Sequence, residues 1–296
     1  MGKFKLFWKN NGIGYLFLTP WLIGILTLTA IPMGASLYFS FTSYDMFNAP
    51  TWVGLDNYLS LFSDAKWLQS VKVTLIYVLL GVPFQLAFAL FIAVILNKGI
   101  GGLRVYRAVY YVPSLFGGSV AIAILWRQIF GGNGLVNNIL GKFGFEGINW
   151  ISTPDTALYT LIILMIWQFG ASMVIFLAGL KQVPVELYES AKIDGAGSLK
   201  QFFQITLPLI TPVVFFNLVM GIIGAFQAFT PAYIVSGGTG GPLNSTLFYT
   251  LYLYQKGFTQ FAMGYASAMA WILLIVIAFA TAIVFATSKK WVYYQG

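Results

Sequence analysis

Six stretches of this chain contain no Asp, Glu, Lys or Arg, and they decide what it can fold into. They run from Asn10 to Tyr44, Val73 to Asn97, Ala108 to Trp126, Thr156 to Leu180, Gln201 to Gln255 and Gly257 to Ser288. A helix needs about 20 apolar residues to cross roughly 30 Å of hydrocarbon. The first stretch is too short for two crossings and a turn. The fifth is long enough, but Ser236-Gly-Gly-Thr-Gly-Gly-Pro-Leu-Asn244 interrupts it, and Leu247 to Tyr254 is well under half a crossing. The expected fold is all-α and integral to a membrane. Six spans are placed at about 13–41, 70–97, 108–130, 156–180, 205–234 and 262–288, with Pro20 and Pro32 kinking the first.

Composition closes off other classes. The chain is 59% hydrophobic and 8% charged, where a soluble domain carries roughly 25% charged residues. It has no His and no Cys, so the commonest general base and metal ligand are missing, as are disulfides and thiolate chemistry. The few acids are scattered, which disfavours a carboxylate metal cage. A net charge of +8 would suit a nucleic-acid partner, but no Lys/Arg run exceeds two residues and no basic stripe accompanies the aromatics.

The positive charge follows the membrane instead. With the N-terminus in the cytoplasm, that side holds Lys3, Lys5, Lys9, Lys98, Arg104, Arg107, Lys181, Lys192, Lys200, Lys289 and Lys290. The outer side holds Lys66, Lys72, Arg127, Lys142 and Lys256. Eleven of the sixteen basic residues thus lie inside, as the positive-inside rule requires, and both termini are cytoplasmic. The organisation read from this is a basic segment at 1–12, a six-helix transmembrane bundle at 13–290 and a short tail at 291–296. The N-terminal apolar run is too long for a cleaved signal and lacks a clear cleavage site. Trp126, Trp150, Trp291, Tyr293 and Tyr294 read as interfacial anchors. Gly117, Gly118, Gly170, Gly221, Gly224 and Gly264 read as places where helices approach closely.

The segment 182–212, between spans four and five, is different in kind. Pro184 suits a first helical position, and Glu186 and Glu189 complement the positive end of a helix. Leu187, Tyr188 and Ala191 share a face at three- and four-residue spacing. Gly195 and Gly197 then break the chain, and Ser198-Leu-Lys-Gln201 has the pattern of a capping box for a second helix carrying Leu199, Phe202 and Phe203. Two short amphipathic helices at a glycine elbow fit either a partner's groove or the bilayer surface.

The residues Glu189, Ser190, Ala191, Gly195, Ile205, Leu207 and Pro208 fit the pattern E-A-A-x3-G-x9-I-x-L-P, with Ser190 the one substitution. This resembles the signature loop of the permease subunits of binding-protein-dependent ABC importers. Tyr106-Arg107-Ala-Val-Tyr-Tyr-Val-Pro113, Trp126-Arg127-Gln-Ile-Phe130, Gly134-Leu-Val-Asn137, Leu18-Thr-Pro-Trp-Leu22 and Trp52-Val-Gly-Leu-Asp-Asn-Tyr58 are similar to the sugar-uptake branch. The resemblance implies a coupling role for the seven loop residues, at about 182–208. It implies partners: a second homologous permease, two ATP-binding subunits that hold ATP and Mg, and an extracellular or periplasmic solute-binding protein. It implies a bacterial or archaeal cell membrane and a sugar or oligosaccharide as cargo.

The chain carries no phosphate loop of its own. Gly141-Lys142 is followed by Phe143 and preceded five places back by Val136, so it fails the Gly-x4-Gly-Lys-Ser/Thr pattern twice. No enzyme activity and no cofactor are expected. Polar groups inside spans mark candidate pathway residues: Gln168, Asn217 and Gln227, with Trp167, Phe226 and Tyr233 for stacking on sugar rings. Interhelical hydrogen bonding is the alternative for each amide. A secondary transporter or channel independent of ATP is the rival reading. It would want mid-membrane acids or paired repeats, and neither is present.

Overall fold

A computed structural model describes residues 2–98 and 102–293, with side chains from residue 13 onward. Lys3, Lys5, Lys9, Tyr294 and the 99–101 part of the basic link lie outside the described side chains or residues. In chain order the elements are α1 (Gly2–Ile25), α2 (Ile31–Ser40), β1 (Thr42–Ser43), β2 (Thr51–Trp52), α3 (Asp56–Ser63), α4 (Ala65–Asn97), α5 (Leu103–Phe116) and α6 (Val120–Ile129). There follow α7 (Leu135–Lys142), α8 (Pro154–Trp167), α9 (Gly170–Leu180), α10 (Val185–Ile193), α11 (Ser198–Gln201), α12 (Leu207–Leu209), α13 (Thr211–Phe226), α14 (Thr230–Val235), α15 (Tyr249–Tyr254) and α16 (Met263–Trp291).

Among the described residues, four helical stretches are long and apolar enough to cross a membrane: Ile13–Ser40, Ala65–Asn97, Thr211–Val235 and Met263–Trp291. Two bent pairs meet the same criteria together, α5 with α6 at 99° and α8 with α9 at 41°. The segment expected as span three at about 108–130 is thus divided between two helices at a sharp bend. Gly117 and Gly118 end α5, and Ser119 starts α6 by accepting a hydrogen bond from the Ile122 amide at 3.3 Å.

Proline acts differently from the expected kink. Pro32 follows a π turn at Leu26–Ala30, and Pro208 follows another at Phe202–Thr206. A helical proline has no N–H to give and its ring crowds the carbonyl four residues back. Widening the preceding turn, so that Ile31 donates to the Leu26 carbonyl and Leu207 to that of Phe202, relieves that crowding without breaking the helix. Pro20 sits inside α1 without a break.

Contacts divide the chain into two compact units. One comprises Met1–Ser63 and Tyr254–Ile272. Its polar joints centre on Asn57, whose Nδ2 donates to the Ser40 and Thr42 carbonyls at 2.9 and 2.8 Å, and on Tyr58, which donates to Ser40 Oγ at 2.7 Å. The Gly264 amide donates to the Tyr44 carbonyl, and a Cβ on Gly264 would collide with the Thr42 carbonyl oxygen.

The other unit comprises Asp64–Leu253 and Leu273–Gly296, and α4 is its spine. Asp64 caps α4 by accepting from the Lys66 and Trp67 amides at 2.9 and 3.2 Å. Over 33 residues the helix is about 50 Å long, more than the hydrocarbon thickness. Val73, Tyr77, Val78, Val82, Leu86, Ala89, Ala93 and Leu96 are buried, a stripe at three- and four-residue steps. That stripe packs against α8, α9 and α13. Leu247, Phe248, Leu251 and Tyr252 on the short run before residue 254 are also buried, and Tyr252 donates to Asp64 Oδ2 at 2.5 Å.

Of the expected aromatic anchors, Trp126 is internal and Trp150 is half-buried. Trp126 is buried and its Nε1 donates to the Thr160 carbonyl at 2.8 Å. Trp150 donates to Asn137 Oδ1 at 2.8 Å, and Asn137 in turn donates to the carbonyls of Gly132 and Ile148. Indole N–H groups removed from water need such partners.

Candidate functional site: a glycine-elbow loop and an amide-lined cavity

The loop is built from its caps. Pro184 is extended at φ −60°, ψ 133° and stands just before α10 rather than within its first turn. At the far end the Ala196 amide donates to the Ala191 carbonyl at 2.8 Å and the Gly195 amide to that of Lys192 at 3.1 Å. These two bonds form a Schellman end, whose pivot must be left-handed. Gly195 supplies it at φ +74°. Nothing lies within 4 Å of where its Cβ would be, so the demand for glycine here is conformational and not steric.

The second helix departs from the expected capping box. Ser198 lies inside α11, Gly197 precedes it without a side-chain cap, and Gln201 Nε2 instead donates to the Ala196 carbonyl at 2.8 Å. Gln201 thereby ties α11 back to the elbow. Tyr188 Oη and Thr206 Oγ1 share a hydrogen bond of 2.8 Å, joining α10 to the π turn ahead of Pro208. Glu189, Ser190 and Gly195 are exposed, while Ala191, Ile205, Leu207 and Pro208 are half-buried. The apolar residues Ile193, Leu199 and Phe203 are 88, 78 and 62% exposed. Such an apolar face is the kind that partners cover.

Within the same unit a cavity of about 570 Å³ opens among α4, α8, α9 and α13 and the 228–231 turn. Its polar lining includes three amides beside the hydroxyl residues Tyr77, Ser172 and Thr230. Gln85 Nε2 donates to the Met165 and Gln168 carbonyls at 2.8 and 3.3 Å. Gln168 Nε2 donates to the Gly117 carbonyl at 3.0 Å, and Asn217 Nδ2 to that of Val213 at 3.1 Å. Each amide thus donates its N–H side to a backbone carbonyl. Tyr77, Phe216 and Phe229 add ring surface, and among the described residues no charged side chain lines the space.

Of the six pathway candidates, Gln168 and Asn217 line this cavity. Tyr233 stands one layer behind, stacked on Phe229 with centroids 5.3 Å apart. Trp167 faces Trp126 at 5.8 Å, Phe226 is buried at the end of α13, and Gln227 is exposed beyond it. Gln85 was missed by the sequence reading. Its signal was available, since it is the one amide in the interior of the run Val73 to Asn97. Of the six glycines, Gly117 fits against the Gln168 side chain, Gly170 against the Tyr110 carbonyl and Gly221 against Val82, whereas Gly118 and Gly224 face open space.

The sequence pattern of the family described as "Binding-protein-dependent transport system inner membrane component" matches residues 58–292. The chain belongs to this family. It is therefore a multi-pass membrane permease of a binding-protein-dependent ABC transporter and not an enzyme. The permease is 55% identical to the probable ABC transporter permease protein YesP of Bacillus subtilis (strain 168), covering 100% of this chain and 96% of YesP. It is 36% identical to the arabinooligosaccharides transport system permease protein AraP of the same organism, over 92% of this chain and 87% of AraP. Its fold matches a chain of a bacterial alginate ABC transporter solved with an alginate pentasaccharide-bound periplasmic protein. The TM-score is 0.83 at 22% identity, and 96% of each chain is covered. Membership of this family disfavours the reading of an ATP-independent channel or secondary transporter.

Proposed function

We propose that this permease carries a neutral sugar or oligosaccharide across a bacterial or archaeal cytoplasmic membrane by alternating access. The observation that carries this reading is the cavity: about 570 Å³, lined by Gln85, Gln168 and Asn217 and by aromatic rings, with no charge among the described residues. Its size falls in the range of small-ligand sites, roughly 300–1,000 Å³, and amide oxygens suit the hydroxyl donors of a sugar. The oligosaccharides named for AraP support a carbohydrate cargo.

On this reading the permease pairs with a second homologous permease subunit, two ATP-binding subunits and an extracellular or periplasmic solute-binding protein. It holds no cofactor; ATP and Mg bind, and hydrolysis occurs, in the ATP-binding partners. The chain crosses six times within 13–290, with 1–12 and 291–296 in the cytoplasm. The coupling loop, 182–208, docks on one ATP-binding subunit through Glu189, Ser190, Ala191 and the elbow at Gly195. Ile205, Leu207 and Pro208 pass its movement into the fifth span. Nucleotide-driven closure then favours one state of the bundle because the loop binds the two partner states unequally.

The test is reconstitution. Uptake of labelled oligosaccharide by proteoliposomes should require the second permease, the ATP-binding subunits, internal ATP and the external binding protein. Since the chain has no cysteine, Ser190→Cys gives a single reporter thiol. It should react with a membrane-impermeant maleimide only from the cytoplasmic side. Uptake by the chain alone, or labelling from outside, would overturn the proposal.

A further inference from the structure

Arg107 belongs to neither the loop nor the amide-lined cavity. It lies on α5, and its Nε and Nη2 are shut off from solvent with no hydrogen-bond partner among the described residues. Beside it a groove of about 390 Å³ runs between α5 and α9, walled by Ala108, Tyr111, Ala171, Val174 and Ile175. Buried guanidinium N–H groups without acceptors are costly, so turning the guanidinium toward an anion seated in the adjoining groove is favourable.

We infer that the α5/α9 groove binds an anionic phospholipid, with its phosphate on Arg107 and an acyl chain along the apolar walls. Four features favour a lipid over other anions. The fork of a guanidinium matches phosphate oxygens. Arg107 is five residues past the left-handed Gly102 that precedes α5, so it sits about 8 Å along the helix, within reach of the headgroup level. Arg104, exposed one turn earlier, adds the second positive charge that selects anionic headgroups. The remaining walls offer only hydrocarbon and one tyrosine, which suits an acyl chain and not a hydrated ion. Ala171 and Ile175 line both this groove and the amide-lined cavity, so a lipid seated here touches the same helix that shapes the transport space.

Native mass spectrometry of the assembled importer, titrated with phosphatidylglycerol or phosphatidylcholine, tests the site. The wild-type complex should retain phosphatidylglycerol in preference to phosphatidylcholine. Arg107→Gln should weaken that retention roughly ten-fold, the loss of one charge-assisted contact. Val174→Trp, which fills the groove and leaves the arginine in place, should weaken it as well, so the inference survives a folding failure of the first variant. Excess inorganic phosphate should not displace the lipid. Retention unchanged in both variants, equal binding of the two lipids, or displacement by phosphate would overturn it. So would dissociation of the second permease from Arg107→Gln with lipid retention intact, since the anion would then be a partner's carboxylate.

Discussion

Residues 182–208 and the cavity among α4, α8, α9 and α13 belong to one compact unit but are built in contrary ways. The loop shows large apolar side chains to the outside, with Ile193 and Leu199 mostly exposed, and is held internally by a few bonds, notably Tyr188 to Thr206 and Gln201 to Ala196. The cavity is lined by apolar and aromatic groups with three amides among them, each donating to a backbone carbonyl. The first arrangement is suited to being gripped by a protein and the second to holding a small ligand briefly. Mutations should therefore separate them: loop variants should uncouple ATP from transport, and cavity variants should change transport while coupling survives.

The largest effect belongs to the elbow. Gly195→Val puts a β-branched residue at φ +74°, a conformation that costs L-residues roughly 1–2 kcal/mol or more. Because the surroundings of its Cβ are empty, only the turn should suffer. Uptake in proteoliposomes should fall more than about ten-fold, while the spans remain folded and the permease pair assembled. Glu189→Lys should do the same by placing a positive charge on the proposed docking face. Gly195→Asn should recover much of the activity, since asparagine tolerates the left-handed region. Full uptake in both Gly195→Val and Glu189→Lys would remove the coupling role.

Gly117→Leu is expected to come next. A Cβ there would lie 2.2 Å from the Gln168 side chain, so the amide must leave its bond to the Gly117 carbonyl. Overpacking of this kind costs about 1–3 kcal/mol. Transport should drop severely, and ATP hydrolysis stimulated by the loaded binding protein should persist, which is the reverse of the elbow phenotype. Loss of both together would mean that the cavity and the loop cannot be separated in this way.

The two regions were also unequally legible in the sequence. The loop is contiguous: its acids, its glycines and its Ile-x-Leu-Pro end all stand between Glu186 and Pro208, so the break could be read at Gly195 and Gly197, and the resemblance to the family's signature loop singled out Gly195. What spacing could not give was which side chain closes it. Ser198 and Gln201 looked like a capping box, but once the Schellman turn had used the Ala196 amide, the free Ala196 carbonyl became the better partner for Gln201. The cavity is assembled from residues as far apart as Tyr77 and Pro231. Gln168 and Asn217 could be picked as polar groups in spans, but their shared exposure to one space depends on the 41° bend between α8 and α9, which no local pattern encodes. The 99° break at Gly117–Gly118 was hidden for a similar reason. Two glycines fit close helix packing and a chain reversal equally well, and the deciding cap is the single hydroxyl of Ser119.

Single-amide variants refine the cavity half of the comparison. Gln168→Ala and Asn217→Ala each delete one acceptor and one bond to a helix carbonyl. Each hydrogen bond contributes about 0.5–1.5 kcal/mol, so the uptake rate at saturating binding protein should fall up to about ten-fold, with Gln227→Ala near wild type because Gln227 lies outside the cavity lining. Equal losses in all three would show that these amides act on helix packing in general and not on cargo.

The smallest effect expected is that of Tyr188→Phe, and it sharpens the loop half. The phenol is only half-buried and its single described bond, 2.8 Å to Thr206 Oγ1, is the side-chain link from α10 to the π turn before Pro208. Its removal should cost about 1 kcal/mol without exposing new apolar surface, since the ring remains. If the loop moves as one body, that loss loosens α10 from the entry to α13 and lowers the oligosaccharide carried per ATP hydrolysed by a few-fold. The hydrolysis rate itself should hold. Amide exchange should accelerate in residues 185–196 and stay unchanged in α13. Faster exchange in α13 with normal coupling would mean instead that Tyr188 braces the span and that the force enters at Pro208 by another route.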